Sequence, residues 1–260
     1  MKFSIITISL NAEKYIKETI ESVLEQTYKD YEIIIKDGRS TDNTLKKIPD
    51  DDRIRVIQKT DSGVYMAMNQ AIKEANGDFI FFLNCGDKLF HEDILKNVAN
   101  KITESKNVVY YGNSWCNREL TTYPKCITKD FMLTSTICHQ SVFFSKDIFT
   151  KYGYYDERYK ICSDWKHMYE LVCKGADFIF LGFNICDYLG GGLSEGAKGQ
   201  ENMDNEEKEI IEQLSAGQKN RYNLLKTKLG HFYLKKTGNL QHKSYIDKEE
   251  LIAAERGGVD

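Results

Sequence analysis

The segment Ile33–Asp42, with the sequence IIIKDGRSTD, decides the fold class of this chain. Three β-branched isoleucines and a lysine precede a carboxylate and a glycine. After an arginine come Ser, Thr and Asp, which favour turns and helix starts. A run that is apolar on both faces is typical of a strand buried inside a parallel sheet. The same order, an apolar strand and then a polar cluster, recurs at Phe3–Asn11 and Asp78–Asp87. We therefore expect a parallel sheet whose strands end in polar clusters.

Strand and helix patterns alternate over residues 3–105, and this alternation predicts a doubly wound, mostly parallel sheet flanked by helices. The predicted strands are Phe3–Ile8, Tyr31–Lys36, Ile54–Ile57 and Asp78–Leu83. The predicted helices are Ala12–Gln26, Gly63–Asn76 and His91–Ser105. In such sheets, ligands bind outside the carboxyl ends of the strands. We expect the polar clusters Thr7–Asn11, Asp37–Asp42 and Asn84–Asp87 to meet there in one crevice.

The second half of the sequence is less regular. Its predicted strands and helices are Val108–Trp115, a hairpin near Asn117–Glu119, Gln140–Phe144, the helix Ser163–Lys174, Phe178–Leu181 and Ile185–Leu189. From about Gln200 the pattern is mostly helical and polar. We predict an α/β domain over residues 1–197 and a helical C-terminal extension over residues 198–260.

Composition excludes several classes of protein. The 260 residues carry a formal net charge of -3, which is too close to neutral for a chain that binds nucleic acid along its whole surface. The seven cysteines include no CxxC pair, so we expect reduced thiols and a cytoplasmic protein. The longest apolar run, Phe79–Leu83, is far shorter than the ~20 residues of a membrane span, and no signal peptide is apparent.

Three carboxylates stand where chemistry could occur, and each has a purely structural alternative. Asp37 either binds the N–H of a uracil ring or shapes the turn with Gly38. Asp87 either binds a divalent cation that neutralises a nucleotide diphosphate or caps the following turn. Asp164 either takes a proton from an acceptor hydroxyl or stabilises a helix N-terminus through the helix dipole.

Two further segments leave the same choice open. His139, followed by Gln140, precedes an apolar strand, where a histidine is most often a satisfied structural group. The triplet Gly190–Gly192, followed by Ser194, is either a plain turn or a mobile lid that contacts phosphate.

Taken together, seven segments in order resemble family 2 glycosyltransferases of the GT-A fold, in the branch that builds bacterial surface polysaccharides. The resemblance covers roughly residues 2–195. The segments are SIITISLN (4–11), ESVLEQTY (21–28), IKDGRSTD (35–42), TDSGVYMAMN (60–69), NCGD (84–87), HQSVFF (139–144) and SDW (163–165).

The resemblance implies roles for individual residues. It makes Asp164 the catalytic base and Asp87 the ligand of Mn²⁺ or Mg²⁺. The nucleotide pocket would contain Thr7, Ser9, Asn11, Asp37, Asp61, Asn84 and Gly86. The loop for the acceptor or the donor sugar would contain His139, Gln140, Trp165, Gly191 and Ser194. Residues 1–105 would then form the nucleotide-binding half and residues 106–197 the acceptor half.

Three positions depart from the family pattern. Asn84 and Gly86 stand where a complete DxD motif has acids, so Asp87 is the only carboxylate of that motif. Lys36 replaces an apolar or acidic residue before the Asp of the turn. Metal affinity in the absence of the donor is therefore expected to be low, or metal dependence to be partial.

The implied function is an inverting transfer of a sugar from a nucleotide sugar, with UDP as the expected nucleotide, to a saccharide or a lipid-linked acceptor. A non-catalytic relative that binds nucleotide sugars is the first alternative, and a sugar-phosphate nucleotidyltransferase is the second. The latter carries a glycine-rich basic loop after its first strand, whereas this chain has Ser9–Ala12. A GxGxxG motif is missing there too, which disfavours a dehydrogenase.

The C-terminal region is basic and partly apolar. Lys219 to Lys243 contains seven Lys and Arg residues and no acid, with leucines and aromatic residues between them. One interpretation is an amphipathic segment that contacts the inner face of an anionic membrane. The other is a helix that packs on the catalytic domain or joins a homodimer through residues 200–245, with solvated lysines outside.

Overall fold

The computed structural model describes residues 1–116, 118–193 and 196–257, with side chains up to 255. In this part of the chain the strands join one sheet, in the order β10-β7-β6-β8-β4-β1-β2-β3, with β9 beside β6 and β5 beside β9. The strands are β1 (Phe3–Ser9), β2 (Tyr31–Asp37), β3 (Ile54–Gln58), β4 (Phe79–Phe82), β5 (Lys88–Leu89), β6 (Val108–Cys116), β7 (Glu119–Thr122), β8 (Val142–Ser145), β9 (Asp177–Asp187) and β10 (His242–Tyr245).

Helices cover both faces of the sheet, and the predicted α/β class is confirmed. The helices are α1 (Ile16–Leu24), α2 (Val64–Glu74), α3 (Ile94–Lys101), α4 (Lys129–Thr134), α5 (Asp147–Tyr152), α6 (Ser163–Cys173), α7 (Gly196–Glu212), α8 (Ala216–Leu225), α9 (Lys228–Lys236) and α10 (Lys248–Gly257). Short 3₁₀ turns lie at Leu45–Lys47 and His139–Ser141. One apolar core contains side chains of α2, α4 and α6, and the other contains those of α1 and α3.

The strands β3, β2, β1 and β4 are parallel neighbours, as the alternating pattern predicts. β1 and β2 are almost wholly buried, which explains why they are apolar on both faces. Their register pairs Ser9 with Asp37, so both strands end at the same edge of the sheet. This edge is where the predicted polar clusters begin.

The first helix starts later than the sequence predicts. The expected start was Ala12, but α1 begins at Ile16. Asn11 adopts a positive φ of 52°, and the amide of Tyr15 bonds to the carbonyl of Ala12 at 3.0 Å, which closes a turn before the helix. This turn keeps Asn11 at the sheet edge.

Two strand predictions in the second half were wrong in their bounds. The predicted strands Phe178–Leu181 and Ile185–Leu189 are one strand, β9, that pairs in parallel with β6 across an irregularity near Asn113. Gly182, at φ 87°, lets the backbone kink without ending the strand. The predicted strand Gln140–Phe144 begins only at Val142, because the amide of Ser141 bonds to the carbonyl of Cys138 at 2.9 Å in a 3₁₀ turn.

The region after Gln200 is mostly helical, but it also contributes a strand. β10 pairs antiparallel with β7 and so extends the edge of the sheet. Leu251 of α10 is buried in the second core. Ile210, Leu225 and Leu234 are also buried, so the C-terminal region packs on the α/β fold. The helices of the described residues include none that is long and apolar enough to cross a membrane.

Candidate functional site

Hydrogen bonds join the three predicted polar clusters at the carboxyl edge of the sheet. Ser9 Oγ donates to Asp37 Oδ1 at 3.2 Å, and the amide of Gly38 donates to the carbonyl of Ser9 at 2.9 Å. Thr7 Oγ1 donates to the carbonyl of Leu83, the residue after β4, at 2.8 Å, and Cys85 Sγ donates to the carbonyl of Ile8 at 3.5 Å. Segments that lie far apart in the sequence therefore form one continuous rim, as the fold predicts.

Asp37 is fully buried and shapes the turn after β2. Its Oδ2 accepts the amide of Ser40 at 2.9 Å, and its Oδ1 accepts the hydroxyl of Ser40. Asn11 stabilises the same turn. Its Oδ1 accepts a hydrogen bond from the backbone amide of Thr41 at 2.9 Å, and its backbone amide donates to Ser40 Oγ at 2.8 Å. The turn-shaping role of Asp37 is thus present, and a contact to a base would come through this ordered turn.

A buried lysine holds Asp61, a contact that sequence analysis did not find. The Lys36 side chain is fully buried, and its Nζ lies 2.7 Å from Asp61 Oδ2 and 2.6 Å from the carbonyl oxygen of Lys59. The pair satisfies the buried ammonium group and ties the segment before α2 to the end of β2. The sequence marked Lys36 as a departure from the family pattern but offered no partner for it.

Asp87 is nearly inaccessible to solvent. Gln140 Nε2 donates to its Oδ2 at 2.9 Å, and the amide of Leu189 donates to its Oδ1 at 3.0 Å. Burial raises the pKa of Asp87 to about 7, although these two donors partly oppose that effect. Residues 188–193, which follow β9, are called the Leu189 loop. In this conformation the Leu189 loop covers the carboxylate that sequence analysis assigned to a metal.

Gly86 allows that loop to pack closely. Its φ is 103°, and a Cβ at this position would lie 2.6 Å from Leu189 Cδ2. Its backbone amide donates a hydrogen bond to Thr19 Oγ1 at 2.8 Å. Nearby, Asn84 Oδ1 is buried and has no hydrogen-bond partner among the described residues, so one oxygen at this edge is left unsatisfied.

The oxygen ligands at this edge suit a metal ion that is bound mostly by substrate phosphates and waters. The described residues contain no group of three or more His, Cys, Asp or Glu side chains that could hold an ion. Each oxygen of Asp87 keeps a second lone pair, so either oxygen can still bind a metal ion. Mg²⁺ is often held by one or two carboxylates with substrate phosphates and waters, and a single Asp suits that mode.

Asp164 lies at the start of α6, as predicted, and its two oxygens differ. Oδ1 accepts the hydroxyl of Tyr65 at 2.8 Å and the amide of Trp165 at 2.9 Å. Oδ2 has no hydrogen-bond donor among the residues that the structure describes. Asp164 is only half-buried, so Oδ2 is the atom that could accept a proton from a bound hydroxyl.

His139 and Gln140 link the surroundings of Asp164 to Asp87. His139 Nε2 lies 2.8 Å from the Tyr155 hydroxyl, and burial lowers the pKa of His139 while the nearby charge of Asp164 raises it. The next residue, Gln140, bonds to Asp87 as described above. The 3₁₀ turn thus places His139 within the electrostatic influence of Asp164 and the side-chain amide of Gln140 on Asp87.

Three further residues were predicted to contact the acceptor or the donor sugar, namely Trp165, Gly191 and Ser194. The Trp165 ring packs with Cys162 and Ile210, and its Nε1 donates to the carbonyl of Met132 at 2.6 Å, so this polar atom is already used. Gly191 is exposed with φ 77°, which suits a turn. Ser194 lies outside the described residues.

Glu206, on α7, was also missed by sequence analysis. Its carboxylate accepts three backbone amides just before α6, from Lys160 at 2.7 Å and from Ile161 and Cys162 at 2.9 Å each. Tyr65 was inside a recognised segment but received no role. Nothing in the local sequence around Glu206 signals a contact more than 40 residues away.

The sequence matches a glycosyltransferase family profile and known proteins that are named glycosyltransferases. The sequence profile described as Glycosyl transferase family 2 matches residues 4–169. A PGL/p-HBAD biosynthesis glycosyltransferase of Mycobacterium bovis (strain BCG / Pasteur 1173P2) is 33% identical over 170 residues, which cover 63% of this chain and 66% of that protein. The putative teichuronic acid biosynthesis glycosyltransferase TuaG of Bacillus subtilis (strain 168) is 33% identical over 147 residues, 52% of this chain and 58% of that protein. The matched part thus spans less than two thirds of each relative.

Solved structures show the same fold. The S. aureus TarS 1-349 structure in complex with UDP-GlcNAc has a TM-score of 0.65 at 20% identity and covers 90% of this chain and 76% of that one. The mannosyltransferase PcManGT from Pyrobaculum calidifontis, in complex with GDP-Man and Mn2+, has a TM-score of 0.57 at 12% identity, over 98% of this chain and 79% of that one. At these identities the likeness concerns the fold alone.

Proposed function

This chain belongs to glycosyl transferase family 2, and from that premise we propose that it transfers a sugar from a UDP-sugar to an acceptor hydroxyl, with inversion at the anomeric carbon. The observation that carries the proposal is the continuous rim at the carboxyl edge of the sheet. There the clusters around Ser9, Asp37 and Asp87 meet, and Gln140 and His139 connect them to the surroundings of Asp164.

The nucleotide would bind over the turn after β2. Asp37 and Asn11 hold this turn rigid, so its backbone groups and Asp61 are preorganised for a base and a ribose. Thr7, Ser9, Asn84 and Gly86 would complete this pocket. UDP is the proposed nucleotide because the resemblance implies it and because the TarS structure with the same fold contains UDP-GlcNAc.

The sugar would move in a single displacement with Asp164 as the base. Asp164 Oδ2 takes the proton of the acceptor hydroxyl while that oxygen forms a bond to the anomeric carbon. The bond from this carbon to the diphosphate oxygen breaks, and UDP leaves with the electron pair. Tyr65 and the amide of Trp165 hold Oδ1, which fixes the direction in which Oδ2 points.

A divalent cation is the proposed cofactor, with Asp87 as its protein ligand. Mn²⁺ or Mg²⁺ held there would neutralise the diphosphate and stabilise it as a leaving group. The Leu189 loop would have to move to admit the donor, because Leu189 now occupies one face of Asp87. Gly191 and Ser194 remain proposed contacts of the acceptor or the donor sugar. Metal binding and donor binding are therefore expected to be coupled.

The proposed acceptor is a saccharide or a lipid-linked saccharide used in surface polysaccharide assembly. Two relatives support this proposal by name: one is a glycosyltransferase of PGL/p-HBAD biosynthesis, and the other is TuaG, a putative glycosyltransferase of teichuronic acid biosynthesis. We place the enzyme in the cytoplasm, which the scattered positions of its seven cysteines, without a CxxC pair, support. Contact with a membrane surface, or a homodimer through residues 200–245, would bring the site to such an acceptor.

The test is a panel of nucleotide sugars that contains several UDP-sugars and GDP-mannose. We expect one UDP-sugar to raise the thermal stability of the protein in the presence of Mn²⁺ and to release UDP slowly by hydrolysis. The variant Asp87→Asn should lose the response to Mn²⁺ while it keeps its fold. If no nucleotide sugar is bound or hydrolysed, with or without Mn²⁺, the proposed function is wrong.

A further inference from the structure

The helices α8 and α9 form a tight hairpin on the surface. They are separated by Lys226 and Thr227, and the Thr227 hydroxyl caps α9 by accepting the amide of Gly230 at 3.1 Å. A Cβ on Gly230 would lie 2.3 Å from the carbonyl oxygen of Leu224, so only glycine allows the two helices to touch here. The side of the hairpin that faces the protein buries Leu225 and Leu234 in the first apolar core.

The opposite side of the hairpin, the outer face, exposes large apolar side chains. It consists of Leu224, Leu229, Phe232 and Tyr233, whose exposed fractions are 45%, 69%, 63% and 41%. Between them runs a groove of about 330 Å³, lined also by Arg221 and Lys236. A cluster of four such side chains on a small surface usually marks an interaction site.

The charged side chains of the hairpin itself are all positive. The sequence contains no Asp or Glu between Glu212 and Asp247. Two of the basic residues attach the hairpin to the protein, since Arg221 pairs with Asp130 of α4 and Lys226 pairs with Glu207 of α7. Lys228, Lys235 and Lys236 are exposed and form no ion pair with any described residue.

We propose that the outer face, with Lys228, Lys235 and Lys236, docks on the surface of a bilayer that contains anionic lipids. Apolar side chains on one face and lysines beside them are the features that hold an amphipathic helix in the interface between headgroups and acyl chains. Each lysine near an anionic surface adds about 1 kcal/mol, or roughly fivefold in partitioning. This docking goes beyond sugar transfer and can be measured without any donor.

A second copy of the chain suits this surface less well. Two outer faces in a symmetric dimer would bring the unpaired lysines of both copies together, and like charges across an interface oppose association. Anionic lipids instead complement the charge. The place of the hairpin also suits a membrane-bound acceptor, because α4 packs against both α8 and α6, the helix that begins beside Asp164.

The experiment is co-sedimentation of the full chain with vesicles at low salt. We expect binding to vesicles of phosphatidylcholine with phosphatidylglycerol, little binding to phosphatidylcholine alone, and release at high salt. The triple variant Lys228→Glu, Lys235→Glu, Lys236→Glu should reduce the partition coefficient more than about 100-fold. The double variant Leu229→Ser, Phe232→Ser should also bind weakly, since it removes the side chains that insert.

Matched controls separate the hairpin from general effects of charge and exposed apolar area. Lys101→Glu, Lys106→Glu alters two exposed lysines elsewhere, and Tyr245→Ser removes an exposed ring that lies outside the hairpin; both should bind as the wild type does. Every variant changes exposed residues, and circular dichroism checks its fold. No binding by the wild type, equal loss in the controls, or a dimer in light scattering that Phe232→Ser dissociates would each overturn the proposal.

Discussion

At the scale of single residues, the two oxygens of Asp164 have different surroundings. One of its oxygens is held by Tyr65 and the Trp165 amide, and the other has no donor among the described residues. A carboxylate held on one side cannot rotate freely, so its open oxygen keeps one direction. This arrangement suits a base that takes a proton from a bound hydroxyl and contributes little to the affinity for the sugar donor.

We expect Asp164→Asn to lower kcat by about 10²–10⁴-fold and to leave the dissociation constant of the donor nearly unchanged. The amide can still accept the Tyr65 hydroxyl, so the fold should persist, but it cannot take a proton. Steady-state kinetics and calorimetry with the donor give the two numbers. Tyr65→Phe is the matched control, with a smaller loss of kcat. A lost affinity with an unchanged kcat would make Asp164 a binding residue.

His167 makes the fold sensitive to acid. It is buried against Phe149, with ring centroids 5.5 Å apart, and burial lowers its pKa to about 3. In the unfolded chain the imidazole binds a proton below about pH 6.5, whereas in the folded chain it does not until about pH 3. Acidification therefore favours unfolding between these values. His139, whose pKa burial also lowers, acts in the same direction.

His167→Phe should make stability less dependent on pH. The wild type should lose about 2 kcal/mol of unfolding free energy through His167 between pH 7.5 and pH 5, and the variant should not. Urea unfolding at a series of pH values measures this difference. His242→Phe changes an exposed histidine and should follow the wild type. The same slope for His167→Phe and the wild type would contradict the assignment.

Residues of the candidate site could be predicted from the sequence where they belong to a local motif. Contacts between residues that are far apart in the sequence could not be predicted. Asp37 and Asp87 follow buried strands, so their position at the sheet edge could be inferred from the pattern alone. Lys36 could not be paired with Asp61 in this way, because a buried ion pair leaves no periodic signal. The contact of Asp87 with Leu189 joins residues 102 positions apart and requires the tertiary fold.

At the scale of elements, α7 secures the start of α6. Glu206 gathers three backbone amides of residues 160–162 with one carboxylate, and hydrogen bonds to a charged acceptor are stronger than neutral ones. The Tyr65 hydroxyl shares its single hydrogen between Asp164 Oδ1 at 2.8 Å and the carbonyl oxygen of Ile161, in the same loop, at 2.5 Å. A helix of the C-terminal region thus positions the loop that leads into Asp164.

We expect Glu206→Ala to lower kcat at least about tenfold with little change in donor affinity, because a small displacement of a base is costly. Glu206→Gln keeps part of the acceptor capacity and should restore some of the rate. Glu212→Ala, an exposed glutamate on the same helix, is the matched control and should behave as the wild type. If Glu206→Ala keeps the full kcat, α7 has no positioning role.

Whole strands and helices were predictable to different degrees for a physical reason. The alternation up to α3 follows from local hydrophobic patterns, and the parallel order of β3, β2, β1 and β4 agrees with it. β10 is polar and exposed along its whole length, so only its backbone pairing with β7 makes it a strand. The continuous β9 likewise depends on its long partner β6, which carries it through the kink at Gly182.

At the scale of the whole molecule, the sheet brings the parts of the proposed reaction to one edge. The parallel half supplies the turn after β2 and the carboxylate after β4. The other half supplies Gln140, the Leu189 loop and Asp164. The C-terminal helices pack on the second half and expose a basic, apolar face. The molecule thus combines the proposed nucleotide-binding edge, the proposed base and the proposed membrane contact in one body.

The stereochemistry of donor hydrolysis tests the central claim most directly. With the UDP-sugar that the panel selects, and water as the acceptor, proton NMR can identify the anomer released before it mutarotates. An α-linked donor should first give the β-anomer, and Asp164→Asn should abolish its formation while the variant still binds the donor. Initial release of the α-anomer, or an unchanged rate in Asp164→Asn, would contradict an inverting transfer in which Asp164 is the base.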